Sequence, residues 1–162
     1  MAQNIFGSVG SPYLSYANMT DLWISGSNVA GAQMDYVDAT ETTTSTSYTD
    51  LSTVGPSVTV NVPRSGLILV FVRVEAKSSS GTGQAYAGWN VVHNGTQRLG
   101  PTTRYAAIVG GTNFDSATSF GLYRAADYGA VDSGVAVINM KYVVDAATTG
   151  TFHRRVVVAV PL

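Results

Sequence analysis

The stretch Gly66-Leu67-Ile68-Leu69-Val70-Phe71-Val72-Arg73-Val74-Glu75-Ala76-Lys77 decides the fold. Read in steps of two, its even positions Ile68, Val70, Val72, Val74 and Ala76 are all apolar. Its odd positions pass from Leu67, Leu69 and Phe71 to Arg73, Glu75 and Lys77. Successive side chains of a strand point to opposite faces, so one face of this strand is core, while the other is apolar at one end and charged at the other. An outer face that begins apolar needs a cover, supplied by the chain's own N-terminal segment or by another subunit.

The same period recurs downstream. Ser57–Val62 alternates with Val58, Val60 and Val62 inward, and Pro63 ends it ahead of a Ser65-Gly66 turn. Val135–Val144 sets Ala136, Ile138, Met140, Tyr142 and Val144 opposite Asn139 and Lys141. The last strand is expected to turn Phe152, Val156, Val158 and Val160 inward, with Arg154 interrupting that row. Asn94-Gly95 is a two-residue hairpin signal, since both residues accept positive φ. Strands are predicted over 45–50, 57–62, 66–77, 85–93, 104–109, 117–123, 135–144 and 151–160. Together they define an all-β protein, an antiparallel jelly-roll-like β-sandwich of about eight strands.

Residues 1–39 read differently. Gly7, Gly10, Gly26, Gly31 and the Ser11-Pro12 turn interrupt apolar residues that follow no steady period, among them Ile5, Phe6, Tyr13, Leu14, Leu22 and Trp23. These are too many for a disordered tail, so the segment is expected to be an extended N-terminal docking arm laid on another surface. The Thr/Ser-rich run Thr40–Ser47 is a hinge into the sandwich domain, residues 40–162.

At 162 residues the chain suits one domain plus an arm. Charged residues make up 12%, about half the usual share, and a polar but uncharged surface suits a protein that functions in an assembly. The net charge of −1 points to neither nucleic acid nor an acidic membrane, and both are excluded as expected partners. The balance is uneven along the chain. Asp21, Asp35, Asp38, Glu41 and Asp50 precede the first basic residue, Arg64. This partition reads either as chance in a charge-poor chain or as an acidic leader that docks on a basic surface. Without cysteine there is neither disulfide nor thiolate metal site. The N-terminus lacks the basic and apolar regions of a signal peptide, and Leu67–Val72 is too short to span a bilayer, so the chain is expected to remain in the cytoplasm until it joins something larger.

Chemistry-bearing residues are few, and no catalytic, cofactor or metal residue is expected. His93 and His153 fall in different predicted strands without ligand-spaced companions, and His93 reads as a hairpin-end residue. Asp35, Asp38 and Glu41 lack the alternation of a calcium loop, and Gly81-Thr82-Gly83 reads as a connection. Asp127 and Asp132 have the residue type of a glycosidase pair, yet acidic turn residues explain them as well. Trp89, Tyr105, Tyr123 and Tyr128 read as core or interface aromatics before a sugar platform. In His153-Arg154-Arg155, the one basic cluster, the cations are expected to meet a partner's carboxylate.

The run Thr43-Thr44-Ser45-Thr46-Ser47-Tyr48-Thr49-Asp50-Leu51, followed by Gly55-Pro56-Ser57-Val58-Thr59-Val60 and by Val62-Pro63-Arg64-Ser65-Gly66, resembles the opening of a β-sandwich domain of tailed-bacteriophage virion proteins. The likeness continues through Leu67–Val74, Trp89–Gly95 and the closing Val158–Leu162, and departs at Asp127–Gly134, where a tighter turn is expected. It implies a non-enzymatic virion component of capsid surface, tail or fibre, usually trimeric. With neither heptads nor collagen triplets to form a shaft, the expectation is a capsid decoration (cement) protein whose partners are the phage major capsid protein and further copies of itself, as a homotrimer. The alternative is a tail- or fibre-associated module recognising host glycan. Candidate interface residues are Ile5, Phe6, Tyr13, Leu14, Trp23, Leu67, Leu69, Phe71, Arg154 and Arg155.

Overall fold

Strands β1 (Trp23–Ile24) and β2 (Ser27–Asn28) pair with each other, ahead in the chain of the body of the protein. The structure, a computed structural model, describes these strands together with residues 31–131 and 133–162. Ten further strands follow: β3 (Gln33–Val37), β4 (Glu41–Thr43), β5 (Ser57–Asn61), β6 (Leu67–Ser78), β7 (Gln84–His93), β8 (Thr96–Leu99), β9 (Ala107–Gly110), β10 (Asp115–Arg124), β11 (Val135–Val144) and β12 (Gly150–Pro161). They form two antiparallel five-stranded sheets, and the expected jelly-roll-like sandwich is what the chain builds. In the first sheet the order is β10-β6-β12-β3, with β4 also on β12. In the second it is β5-β11-β7-β8, with β9 also on β7.

The alternating residues meet between the sheets. Ile68, Val70, Val72, Val74 and Ala76 of β6 are each at most 1% exposed, and so are Ile138, Met140 and Tyr142 of β11. Removing such branched side chains from water stabilises the fold by about 1.5–3 kcal/mol each. Val58, Val60 and Val62 point inward as expected. The β7–β8 hairpin turns at Asn94 and Gly95, with φ of 49° and 77°.

Three features depart from the sequence reading. The expected strand over 45–50 is a loop touching β11 through one bridge, Thr49 to Tyr142. The expected 104–109 strand is split, Thr103–Tyr105 forming a 3-10 turn before β9. Finally, β3 and β4 lie where an arm and a hinge were expected, and both hydrogen-bond to β12. The sheet therefore begins at Gln33, inside the stretch assigned to the arm. At five and three residues, these edge strands are too short for an alternation to announce them. They are held by the partner strand rather than by their own sequence.

A bulge changes the last strand more deeply. Between His153 and Val156 the β12–β6 register slips, and Arg154 adopts φ of 42°. One inserted residue reverses the phase of everything after it. Phe152 faces inward, but beyond the bulge the inward residues are Arg155, Val157 and Ala159, each 0% exposed. Val156, Val158 and Val160, expected inside, stand on the outer row instead.

Candidate functional site: the outer face of the first sheet

The reversal matters because it completes an apolar outer surface. Across the strands the register aligns Leu122, Leu69 and Val160 in one row, then Phe120, Phe71, Val158 and Met34 in the next. A third row runs Thr118, Arg73, Val156 and Tyr36. Phe71 and Phe120 touch across strands with ring centroids 6.2 Å apart. Several of these residues are open: Phe120 is 68% exposed, Tyr36 65% and Leu122 47%. Contiguous apolar area of this kind marks an interaction surface, whereas scattered single residues do not. Leu67, Leu69 and Phe71 thus lie on the outer face, as the alternation required.

The same face becomes charged toward the bulge. Arg73 donates through Nε to Ser116 Oγ at 3.0 Å and lies 3.6 Å from Glu75. Arg154 reaches Glu75 at 3.4 Å and Asp38 at 3.6 Å. Tyr36, Asp38, Arg73, Glu75, Arg154 and Val156 line a shallow concavity of about 430 Å³. The positive φ at Arg154 turns its side chain onto this outer surface, where it serves carboxylates of its own chain.

Arg155 is not on a surface at all. It is 0% exposed, and its Nη2 donates to Glu41 Oε2 at 2.7 Å. Its guanidinium lies over the Tyr142 ring, 5.4 Å from the centroid. Burial would raise the Glu41 carboxyl pKa, but hydrogen bonds from the Thr53 hydroxyl and amide, with Arg155 alongside, outweigh it and hold the pKa below its ordinary 4.5. The expectation that a partner's carboxylate meets Arg154 and Arg155 is corrected for Arg155, which no partner can reach. Their counter-ions are Asp38, Glu75 and Glu41 of the same chain.

Other candidates resolve into structure. His93 is buried, and its Nε2 donates to the Ser133 carbonyl at 2.8 Å while its Nδ1 accepts from the Tyr123 hydroxyl at 3.0 Å. His153 lies 2.8 Å from the Thr40 hydroxyl and 3.6 Å from Asp38. Asp35 accepts from the Ser57 amide at 2.8 Å, so Asp35, Asp38 and Glu41 serve three separate partners. No cluster of three or more metal-ligating side chains occurs among the described residues. Trp89 and Tyr123 are 1% and 0% exposed, core residues with no face to offer a sugar. Gly121 makes room for that core, since a Cβ there would stand 2.7 Å from the Trp89 ring. Tyr105 and Tyr128 pack on this core from its margin, 5.7 Å from Trp89 and 5.4 Å from Tyr123 respectively. Asp127 is exposed and pairs with Arg124 at 3.8 Å, while Asp132 lies outside the described residues. Ile5, Phe6, Tyr13 and Leu14 also lie outside them, and Trp23 enters only through the backbone of β1, opposite Asn28.

The carboxylate partners and the Val156–Val160 contribution to the face were not legible in the sequence. The one available signal was Arg154-Arg155 itself, two adjacent cations where strict alternation would have buried one of them.

The fold and the face define a β-sandwich with an open apolar sheet surface. No family model and no curated protein matches the sequence. Among solved structures, the chain is similar to one from infectious bursal disease virus Gx strain, with 9% identity over 80% of this chain and 32% of that one, and a TM-score of 0.48. A chain of the T13 particle of the same virus gives 7% identity over 80% and 31%, with a TM-score of 0.46. The CBM22-1 xylan-binding domain of Paenibacillus barcinonensis Xyn10C gives 14% identity over 81% and 83%, with a TM-score of 0.40. The chain spans about a third of the length of the viral chains it matches. None of these three likenesses reaches a TM-score of 0.5, and no assignment of function rests on them.

Proposed function

We propose that this chain is a non-enzymatic structural protein of a virion, a capsid decoration protein that binds the outer capsid surface of a tailed phage as a homotrimer. The observation that carries the reading is the apolar outer face of the first sheet, with Phe71, Phe120, Leu122 and Tyr36 open to solvent. Such a surface is retained where another surface covers it. The sequence likeness of residues 43–162 to phage virion sandwiches supports the same reading, and so does the low charge. The partners would be the major capsid protein and sister copies, joined in the host cytoplasm and carried on the particle. Many weak contacts suffice there, because a trimer engaging a repetitive shell gains by avidity.

Of the four aromatics of the glycan-binding alternative, Trp89 and Tyr123 are interior, while Tyr105 and Tyr128 are only partly buried. The test is the copy number of the chain in purified virions. Hundreds per particle are expected of a decoration protein. A handful would move the chain to the tail or fibre and overturn the capsid reading.

A further inference from the structure

We propose that two copies of this chain join edge to edge through β10 across a two-fold axis, so that their first sheets continue into one another. The first observation is an unused row of peptide groups. β10 ends the first sheet and, among the described strands, pairs with β6 alone. Just beyond it the Ala125 amide donates to the Gly66 carbonyl at 2.9 Å, which sets the phase of the ladder. Alternate residues of an antiparallel strand bond to the same neighbour, so Ala117, Ser119, Gly121 and Tyr123 turn their peptide groups toward β6. Ser116, Thr118, Phe120, Leu122 and Arg124 turn theirs to the free edge, and all five are exposed. Of their amides, that of Ser116 donates to Asp115 Oδ1 at 2.8 Å.

The second observation is that the other margins of the two sheets are blunted and this one is not. Proteins guard free edges with short strands, proline, lysine or bulges. β3, β4, β5, β8 and β9 are each three to five residues long. β5 lies between Pro56 and Pro63, and β8 meets β7 through a register slip. Asp35 of β3 accepts from the Ser57 amide at 2.8 Å, which ties the β3 and β5 margins together. β10 has ten residues, neither proline nor lysine, and an unbroken register on β6.

The third observation selects a second copy as the occupant, because β10 is complementary to itself. Residues directly opposite in an antiparallel pair share a face, so outward residues must meet outward residues. One register matches all five. It sets Phe120 opposite its own counterpart, Thr118 opposite Leu122, and Ser116 opposite Arg124. The Asp115 end of one copy then meets the Arg124 end of the other, and like charges do not face each other. Phe120, 68% exposed, and Leu122, 47%, gain cover on the outer face. A patch that meets itself closes by a two-fold axis and does not run on into a fibre. The contact uses only the rim of the apolar face and forms between free copies, so it stands apart from the identity of the particle.

The test is the mass of the full-length protein by sedimentation equilibrium at high micromolar concentration. Expected is an assembly of an even number of chains. Phe120→Lys, at an exposed position, sets two ammonium groups opposite each other on the axis and should halve that mass. Thr59→Lys, on an exposed position of the second sheet, should leave it unchanged. The register is read separately with a nitroxide on Ser116→Cys, the one thiol in a chain without cysteine. The span from 116 to 124 along the strand predicts a label-to-label distance of roughly 27 Å between copies. A wild-type protein that is monomeric or odd-numbered, a mass that Phe120→Lys leaves intact, or the absence of that label distance would each overturn the proposal.

Discussion

On the outer face of the second sheet, Ser57 donates to Asn139 at 2.7 Å, Asn139 to Asn90 at 3.1 Å, and Asn90 to Gln97 at 3.3 Å. This ladder crosses β5, β11, β7 and β8, and Lys141 and Asp50 close an ion pair beside it at 2.7 Å. Tyr48 lies over Gly88, where a Cβ would come within 2.9 Å of its ring. On the outer face of the first sheet the corresponding polar contacts, among Ser116, Arg73, Glu75, Arg154 and Asp38, keep to the end near the bulge. The centre of that face is Leu69, Phe71, Val158, Phe120 and Leu122, and at the end away from the bulge Arg124 pairs with Asp127. The same kind of backbone thus carries one face crossed by a polar hydrogen-bonded ladder and one whose centre is left apolar. The difference teaches which face the molecule reserves for contact, and that stability and contact are assigned to different surfaces.

Substitutions test that division. The largest effect is expected inside the first sheet, at the Glu41–Arg155 pair. Glu41→Ala leaves a fully buried guanidinium without its carboxylate and should cost about 3–5 kcal/mol, read by denaturant unfolding. The pair also sets a pH dependence. The folded-state pKa of Glu41 lies below its unfolded value, so its contribution is present above about pH 4.5 and is lost as pH falls through the lowered value. A Glu41→Gln protein should be less stable at neutral pH and show a shallower acid loss. An unchanged acid profile would remove the pair from the account.

Next comes the ladder of the second sheet. Asn139→Ala deprives Asn90, only 5% exposed, of its donor and should cost about 1–3 kcal/mol by the same measurement. A neutral result would mean that water replaces the ladder freely, and the contrast between the faces would weaken.

Tyr48 gives a smaller effect of opposite sign. Its hydroxyl is buried without a partner, and burial, with Tyr86 nearby, pushes its pKa up to about 12. Tyr48→Phe keeps the ring over Gly88 and removes the unsatisfied group, so stability should hold or rise by up to about 1 kcal/mol. A clear loss would reveal a hydrogen bond that the static geometry lacks.

The smallest effect on stability is expected on the open face. Phe120→Ser removes one cross-strand contact, worth about 0.5–1 kcal/mol, from a largely exposed residue. Its consequence should appear in assembly, as a marked loss of particle binding in a sedimentation assay. A large loss of stability with binding intact would reverse the roles given to the two faces.

Much of this was legible beforehand, for a physical reason. Alternation along Leu67–Lys77 and Val135–Val144 is local, so it fixes strand identity and inward residues without reference to a partner. Asn94-Gly95 fixes its turn by backbone preference alone. The mixed outer row of β6 announced a face needing cover, and Leu67, Leu69 and Phe71 stand on it. Long-range pairing was not legible. That Gln33–Val37 and Glu41–Thr43 are strands depends on β12 lying beside them, more than 100 residues away in the chain.

The sequence by itself determined an all-β sandwich and a core drawn from alternating Val and Ile, and it marked one strand with two different outer ends. Only the tertiary structure decided that a bulge at Arg154 would send Arg155 inward to Glu41 and turn Val156, Val158 and Val160 outward. One inserted residue reverses a period-two pattern, and its position is set by the neighbouring strand, where Glu75 pairs with His153 and Arg73 with Val156.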